Sequence, residues 1–172
     1  QEALQKHIES NADITIIYHK EEDKTNENME RHTVLELSGD RVTGIEVCPK
    51  KAKTENASMD IYIMEKELLV SLIEECISKG EHSFEKDAVI KNMDRLKIHG
   101  WEFGGYVGFV DSVLAYYSCN MDILKKKVRE ELFENENLIY TKVKNSVPTK
   151  YGENAVLKDC FVADGCNING EA

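Results

Sequence analysis

Apolar and polar positions alternate along the chain in two rhythms, and each rhythm predicts an element. Ala3, Leu4, His7 and Ile8 fall at helical spacing, and the polar break at Asn11 and Asp13 gives way to the apolar, β-branched run I-T-I-I-Y at 14–18, short enough for a buried strand. Between Thr33 and Val47 the pattern is strand, turn, strand: V-L-E-L, then S-G-D-R with turn composition, then V-T-G-I-E-V. Cys48-Pro49 ends the second strand, because proline has no amide to donate to a ladder. Residues 57–64 (A-S-M-D-I-Y-I-M) predict a further strand. It leads into a helix over 65–79 whose Leu68, Leu69, Leu72, Ile73, Cys76 and Ile77 form a wide apolar stripe, assigned to the core, with Gly80 as its stop. A capping residue at Ser83 opens a short helix over 83–93, and 95–103, with Leu96, Ile98 and Trp101, reads as a strand. Helix-then-strand succession is the rhythm of an α/β fold.

The chain is organised around Gly104 to Leu124. Its first half, rich in Gly, aromatic and β-branched residues, predicts an extended segment closing a sheet. Its second half turns helical, with Val113, Tyr117, Met121 and Leu124 on one face and Asp111 or Ser112 at the N-cap. A strand end running into a capped helix is a common place for chemistry in α/β proteins, although the same pattern also describes a plain corner of the core. Beyond Arg129 the periodicity fades, and Val147-Pro148-Thr149 forces an extended path. The expected organisation is therefore 1–133 as one domain, 134–153 as a linker and 154–172 as the start of another. In that last segment Val156, Val162 and Ile168 stand six apart, with Cys160 and Cys166 each four after a valine. An aliphatic residue at every sixth position marks the coil of a hexapeptide β-helix.

Composition narrows the function classes. A formal net charge of −10 over 172 residues argues against nucleic acid or an anionic membrane as main partner, and leaves room for a local basic site that takes a sugar phosphate. No apolar run approaches the roughly 20 residues of a membrane helix, and no signal peptide is visible. The five cysteines (48, 76, 119, 160 and 166) form no C-x-x-C pair, which suits a reduced, cytoplasmic setting. The five histidines have no spacing suited to zinc and are taken as surface or incidental, and Glu21, Glu22 and Asp23 read as a solvated charge run. The chain opens in a helix already under way, with no glycine-rich turn near Gln1 to cradle phosphates, so a piece of a longer protein is expected.

Several blocks carry a resemblance. G-Y-V-G-F-V-D-S-V-L-A-Y-Y-S-C-N-M-D-I-L resembles the G-Y-W-x-D-V-G-T-x-x-x-Y-x-x-x-N-x-x-L block of ADP-glucose pyrophosphorylase (glucose-1-phosphate adenylyltransferase). A-S-M-D-I-Y-I-M is similar to that family's A-S-M-G-I-Y strand, and S-F-E-K-D-A-V-I to its D-F-G-x-D-I-I-P. I-Y-T-K-V-K-N-S-V-P-T-K-Y-G, at 139–152, is similar to the family's GlgD-type subunits. The resemblance implies an α/β fold: the C-terminal part of a Rossmann-like (GT-A-like) nucleotidyltransferase domain, followed by the start of a left-handed β-helix. It also implies a place in bacterial glycogen biosynthesis, with ATP and glucose 1-phosphate as family substrates and Mg as family metal.

The departures from the family pattern fall on the residues that do the chemistry. Where the family has E-K-P, with a lysine for the phosphate of glucose 1-phosphate, this chain has Val47-Cys48-Pro49. A neutral thiol does not replace an ammonium charge against a phosphate dianion. The family's metal-holding aspartate is Phe109, and a phenyl ring offers no oxygen to magnesium. The glycine of A-S-M-G is Asp60, which puts a negative charge where a sugar phosphate approaches, while Ser58 keeps its family identity. Adenylyl transfer rests on positioning and charge neutralisation. No catalytic residue is therefore assigned, and the pocket implied by resemblance consists of Ser58, Asp60 and Cys48. A regulatory or catalytically weak subunit, working as a hetero-oligomer with a catalytic paralogue, is the expectation. An active sugar-phosphate nucleotidyltransferase, a hexapeptide-repeat acyltransferase and a pure assembly module are the alternatives, and no histidine follows His99 to serve an acyltransferase.

Overall fold

Five strands in the first 104 residues curl until the first meets the last. In the computed structural model, which describes residues 1–21, 30–133 and 145–170, β1 (Ile14–Lys20), β2 (Thr33–Ser38), β3 (Arg41–Val47), β4 (Asn56–Met64) and β5 (Ile98–Glu102) form a small closed barrel in the order β1-β4-β2-β3-β5. The pairs are antiparallel except β1 with β5, which run parallel. The fold is mixed α/β. The sheet is a small barrel, and β1–β5 is the one parallel pair among its described strands.

The elements follow from local chemistry. β1 buries Ile14, Ile16 and Tyr18 in the core, and Thr15 on its other face is buried too, because helix α1 (Glu2–Ser10) covers that face. The covering contact is polar: His7 Nδ1 and Thr15 Oγ1 lie 2.8 Å apart in a buried hydrogen bond. β2 and β3 join through a two-residue loop, Gly39-Asp40, and Gly39 takes a φ of +61°, which a glycine adopts without steric cost and which hairpin turns require. Helix α2 (Lys66–Lys79) ends at Gly80 in the left-handed region, whose amide donates back to Cys76 and Ile77. Leu72 of α2 joins the core of Ile14, Ile16, Tyr18, Leu35, Val42, Ala88, Val89, Leu96 and Ile98.

Two expectations are corrected. The α2 stripe is not core throughout: Leu72 is buried, whereas Ile73 is 43% and Ile77 71% exposed, because they line an open cleft between the helix and residues 81–88. Of the histidines taken as surface or incidental, His7 and His19 are buried, His7 with its ring nitrogen hydrogen-bonded to Thr15. The extended segment expected to close the sheet after Gly104 is absent. β5 ends at Glu102, the amide of Phe103 makes a last bond to the Tyr18 carbonyl, and 104–111 form no strand.

Residues Gly105–Ala172 form a second compact unit. Its helix α3 (Val113–Leu124) starts at Ser112, whose Oγ accepts from the amide of Ala115 at 3.0 Å, so the cap is Ser112 rather than Asp111. The apolar residues of α3 are mostly uncovered, with Val113 87% and Tyr117 59% exposed. Helix α4 (Lys126–Phe133) follows, and much of the expected linker at 134–153 lies outside the described residues. Short strands β6 (Lys150–Tyr151) and β7 (Asn167–Ile168) pair in parallel, each residue with one 17 positions further on. Among the described residues no helix is long and apolar enough to cross a membrane.

Candidate functional site

A bulge in β4 sets the site. Ile61 faces Ile17 across the β1–β4 ladder and Ser58 faces Tyr18, so Met59 and Asp60 are extra on the β4 side. A bulge of this kind bends its strand and re-aims side chains, and glycine is the usual residue where the backbone turns left-handed. Here that residue is Asp60, at φ +56°. Its amide donates to Ser58 Oγ at 3.1 Å, and Ser58 itself is buried.

The second wall comes from 83–89. Ser83 caps a single π-helical turn, Phe84–Val89, and accepts from the amide of Lys86, while the Asp87 carboxylate accepts from the amides of Ser83 at 3.0 Å and His82 at 3.2 Å. Single π turns inside helices are often found at functional sites. This one aims Glu85 at the barrel. Glu85 Oε1 accepts from Thr33 Oγ1 at 2.9 Å and from the Tyr62 hydroxyl at 3.1 Å. The Tyr62 ring stands edge-on to Phe84, centroids 5.2 Å apart, which holds the hydroxyl in place. Burial, then the charge and hydrogen bond of Glu85, push the Tyr62 hydroxyl well above the usual phenol range, so it stays a donor.

Partial desolvation and the Glu85 charge raise the Asp60 carboxyl above its ordinary value, and the bond from Ser58 opposes this. Cys48 follows β3 at the barrel end where β2 begins, as Thr33 pairs with Val47. It is exposed, adopts a φ of +49°, and donates its amide to the carbonyl of His32 at 3.2 Å. Ser58, Asp60 and Cys48 therefore lie on β4 and at the end of β3, two strands that flank β2. Phe109 belongs to the second unit, half-buried in the stretch before α3. Its phenyl group does not suit magnesium, and among the described residues no three His, Cys, Asp or Glu side chains converge as a metal site.

Thr33, Tyr62 and Glu85 are the site residues that the sequence reading missed. A usable signal existed at Glu85, which stands where the similar D-F-G-x-D block has glycine, as Asp60 does in A-S-M-G. Two glycine positions of the resembled pattern thus carry carboxylates near enough for the charge of one to raise the other.

The backbone at Asp60 makes a prediction. Asp60→Gly removes the steric cost of a left-handed conformation that L-residues resist and should raise unfolding stability by about 1 kcal/mol. A charge-dependent part adds to this with a defined sign. Because the folded-state carboxyl is raised, Asp60 helps stability below its unfolded pKa and loses that help as pH rises through the folded value. Urea unfolding of Asp60→Gly and Asp60→Asn should therefore show a larger gain at pH 7 than at pH 3. A gain independent of pH would remove the carboxylate contact from the account.

No family model matches the chain. Among curated proteins it is 38% identical over 117 residues to the "Glycogen biosynthesis protein GlgD" of Bacillus subtilis (strain 168), covering 68% of this chain and 34% of that protein. It is 30% identical over 171 residues to the glucose-1-phosphate adenylyltransferase of the same organism, and 28% identical over 172 residues to that of Clostridium novyi (strain NT). These alignments cover 97% and 98% of this chain and 44% of each relative, so the chain spans between a third and a half of the length of the curated relatives it matches. By these similarities the chain belongs to the glucose-1-phosphate adenylyltransferase family, and within it is of the GlgD type.

Proposed function

We propose that the full-length protein is a subunit of ADP-glucose pyrophosphorylase in bacterial glycogen biosynthesis, with little activity of its own, that assembles in the cytoplasm with a catalytic paralogue and tunes it. The family reaction joins ATP and glucose 1-phosphate into ADP-glucose and pyrophosphate. The observation that carries the reading is the chemistry at the positions implied by resemblance: a neutral thiol at Cys48, and a carboxylate at Asp60 whose amide donates to Ser58 Oγ and whose carboxyl feels the charge of Glu85. A phosphate dianion needs cationic or amide donors around it, and a carboxylate there repels it. Phe109 in place of an oxygen ligand supports the same reading, since phosphoryl transfer in such enzymes relies on metal-assisted charge neutralisation.

The architecture of this reading is a Rossmann-like (GT-A-like) domain over 1–133, a linker over 134–153 and a left-handed β-helix from 154 onward. The parallel pairing of Lys150 with Asn167 and Tyr151 with Ile168 supports the last part, because a chain that returns in parallel after about three hexads completes one coil. The exposed Val156 and Phe161 of that coil suit stacking by a neighbouring coil. Co-expression with an active paralogue tests assembly. The two should co-elute as one species on size-exclusion chromatography, and the mixture should synthesise ADP-glucose at a rate or with an effector response unlike the paralogue alone. Separate elution with an unchanged rate sinks the proposal.

A further inference from the structure

We propose that the Glu85 side chain is a built-in occupant of the pocket beside Ser58, taking the Thr33 and Tyr62 hydroxyl donors that the anionic oxygen of a phosphorylated ligand would otherwise use. The inference rests on the reading of that pocket as a sugar-phosphate site. Its geometry is independent of that reading. One carboxylate oxygen accepts from two hydroxyls that come from different strands, Thr33 on β2 at 2.9 Å and Tyr62 on β4 at 3.1 Å. Two fixed donors converging on one oxygen form a receptor for an oxyanion, and here the oxyanion is supplied by the chain itself.

The delivering element is built separately from the receptor. The π turn has its own support in Ser83 and Asp87, so Glu85 is presented by a preformed turn rather than drawn in by the hydroxyls. The Tyr62 ring is in turn fixed against Phe84 from the same turn. Asp60, held at the strained bulge, adds a like charge beside Glu85. The arrangement is an autoinhibitory contact in which substrate exclusion is achieved by occupation.

Isothermal titration calorimetry on the full-length protein tests this, with glucose 1-phosphate and inorganic phosphate as separate probes. Wild type should bind both weakly. Glu85→Ala should bind glucose 1-phosphate at least tenfold more tightly, and Glu85→Ala with Tyr62→Phe should lose most of that gain. Glu85→Gln keeps the size and the acceptor oxygen, so occupation predicts that it stays as weak as wild type. A gain in Glu85→Gln equal to that in Glu85→Ala overturns the proposal in favour of charge repulsion alone. No gain for either probe in a folded Glu85→Ala protein, judged by its thermal melt, overturns it outright. Should that variant fail to fold, Glu85→Ser provides the same opening and the same expected gain. A gain for inorganic phosphate without one for glucose 1-phosphate upholds the occupant and withdraws the sugar-phosphate reading of the pocket.

Discussion

Leu72→Ala should lower the unfolding free energy by about 3 kcal/mol, within the range that large-to-small core changes produce. The size of the effect comes from how α2 is attached. Leu72 is 1% exposed and packs into the barrel core, whereas Val70, Ile73 and Ile77 on the same helix remain 43–71% exposed. Alanine at this position loses the transfer free energy of the removed carbons and leaves a cavity that the rigid strands cannot fill. Equilibrium urea unfolding should show a lower midpoint with an unchanged slope, because the surface exposed on unfolding is nearly the same. Leu72→Met, which conserves volume, should cost less than about 1.5 kcal/mol. If alanine and methionine cost the same, α2 is not anchored through this residue.

Gly100→Val should cost about 2 kcal/mol by overpacking. A Cβ at Gly100 would come within 2.7 Å of Leu37 Cδ2 and 3.0 Å of Tyr18 Cε1. The leucine tip can swing aside. The Tyr18 ring cannot do so cheaply, since it is buried and its strand is paired on both sides, with β4 and with β5. Gly100 is also where the barrel shuts: its amide donates to the Asp40 carbonyl in the β2–β3 turn at 2.9 Å, next to the His99–Arg41 pair. Valine brings two further methyl groups into that seam, so its melting temperature should fall further than that of Gly100→Ala. Equal melting temperatures for wild type and Gly100→Val would mean that the seam is loose.

These two positions show where sequence reading reaches and where it stops. The hairpin at Gly39, the stop at Gly80, the caps at Ser83 and Ser112 and the strands at 14, 33, 41 and 57 were legible, since each depends on neighbours within a few residues. Barrel closure was not legible. It depends on β1 meeting β5, which brings Ile14 beside Ile98, and nothing local at Gly100 says that Tyr18 and Leu37 will crowd it. The apolar stripe of α2 gave the helix correctly and overstated its burial, because spacing reports which face is apolar and not what covers it. The site divides in the same way. Ser58 and Asp60 were found because they sit in one strand, and the resemblance supplied their meaning. Glu85 was missed because its partners stand 23 and 52 residues away, at Tyr62 and Thr33, and only the fold unites them.

The central proposal is that this member of the family lacks the residues that carry the family's chemistry. It is tested most directly by the initial rate of ADP-glucose synthesis from ATP and glucose 1-phosphate by the full-length protein alone, with magnesium present. The account predicts a rate at the background of the assay, set by Cys48, Asp60, Glu85 and Phe109. A turnover of about 1 s⁻¹ or more, the ordinary range for enzymes, would contradict it.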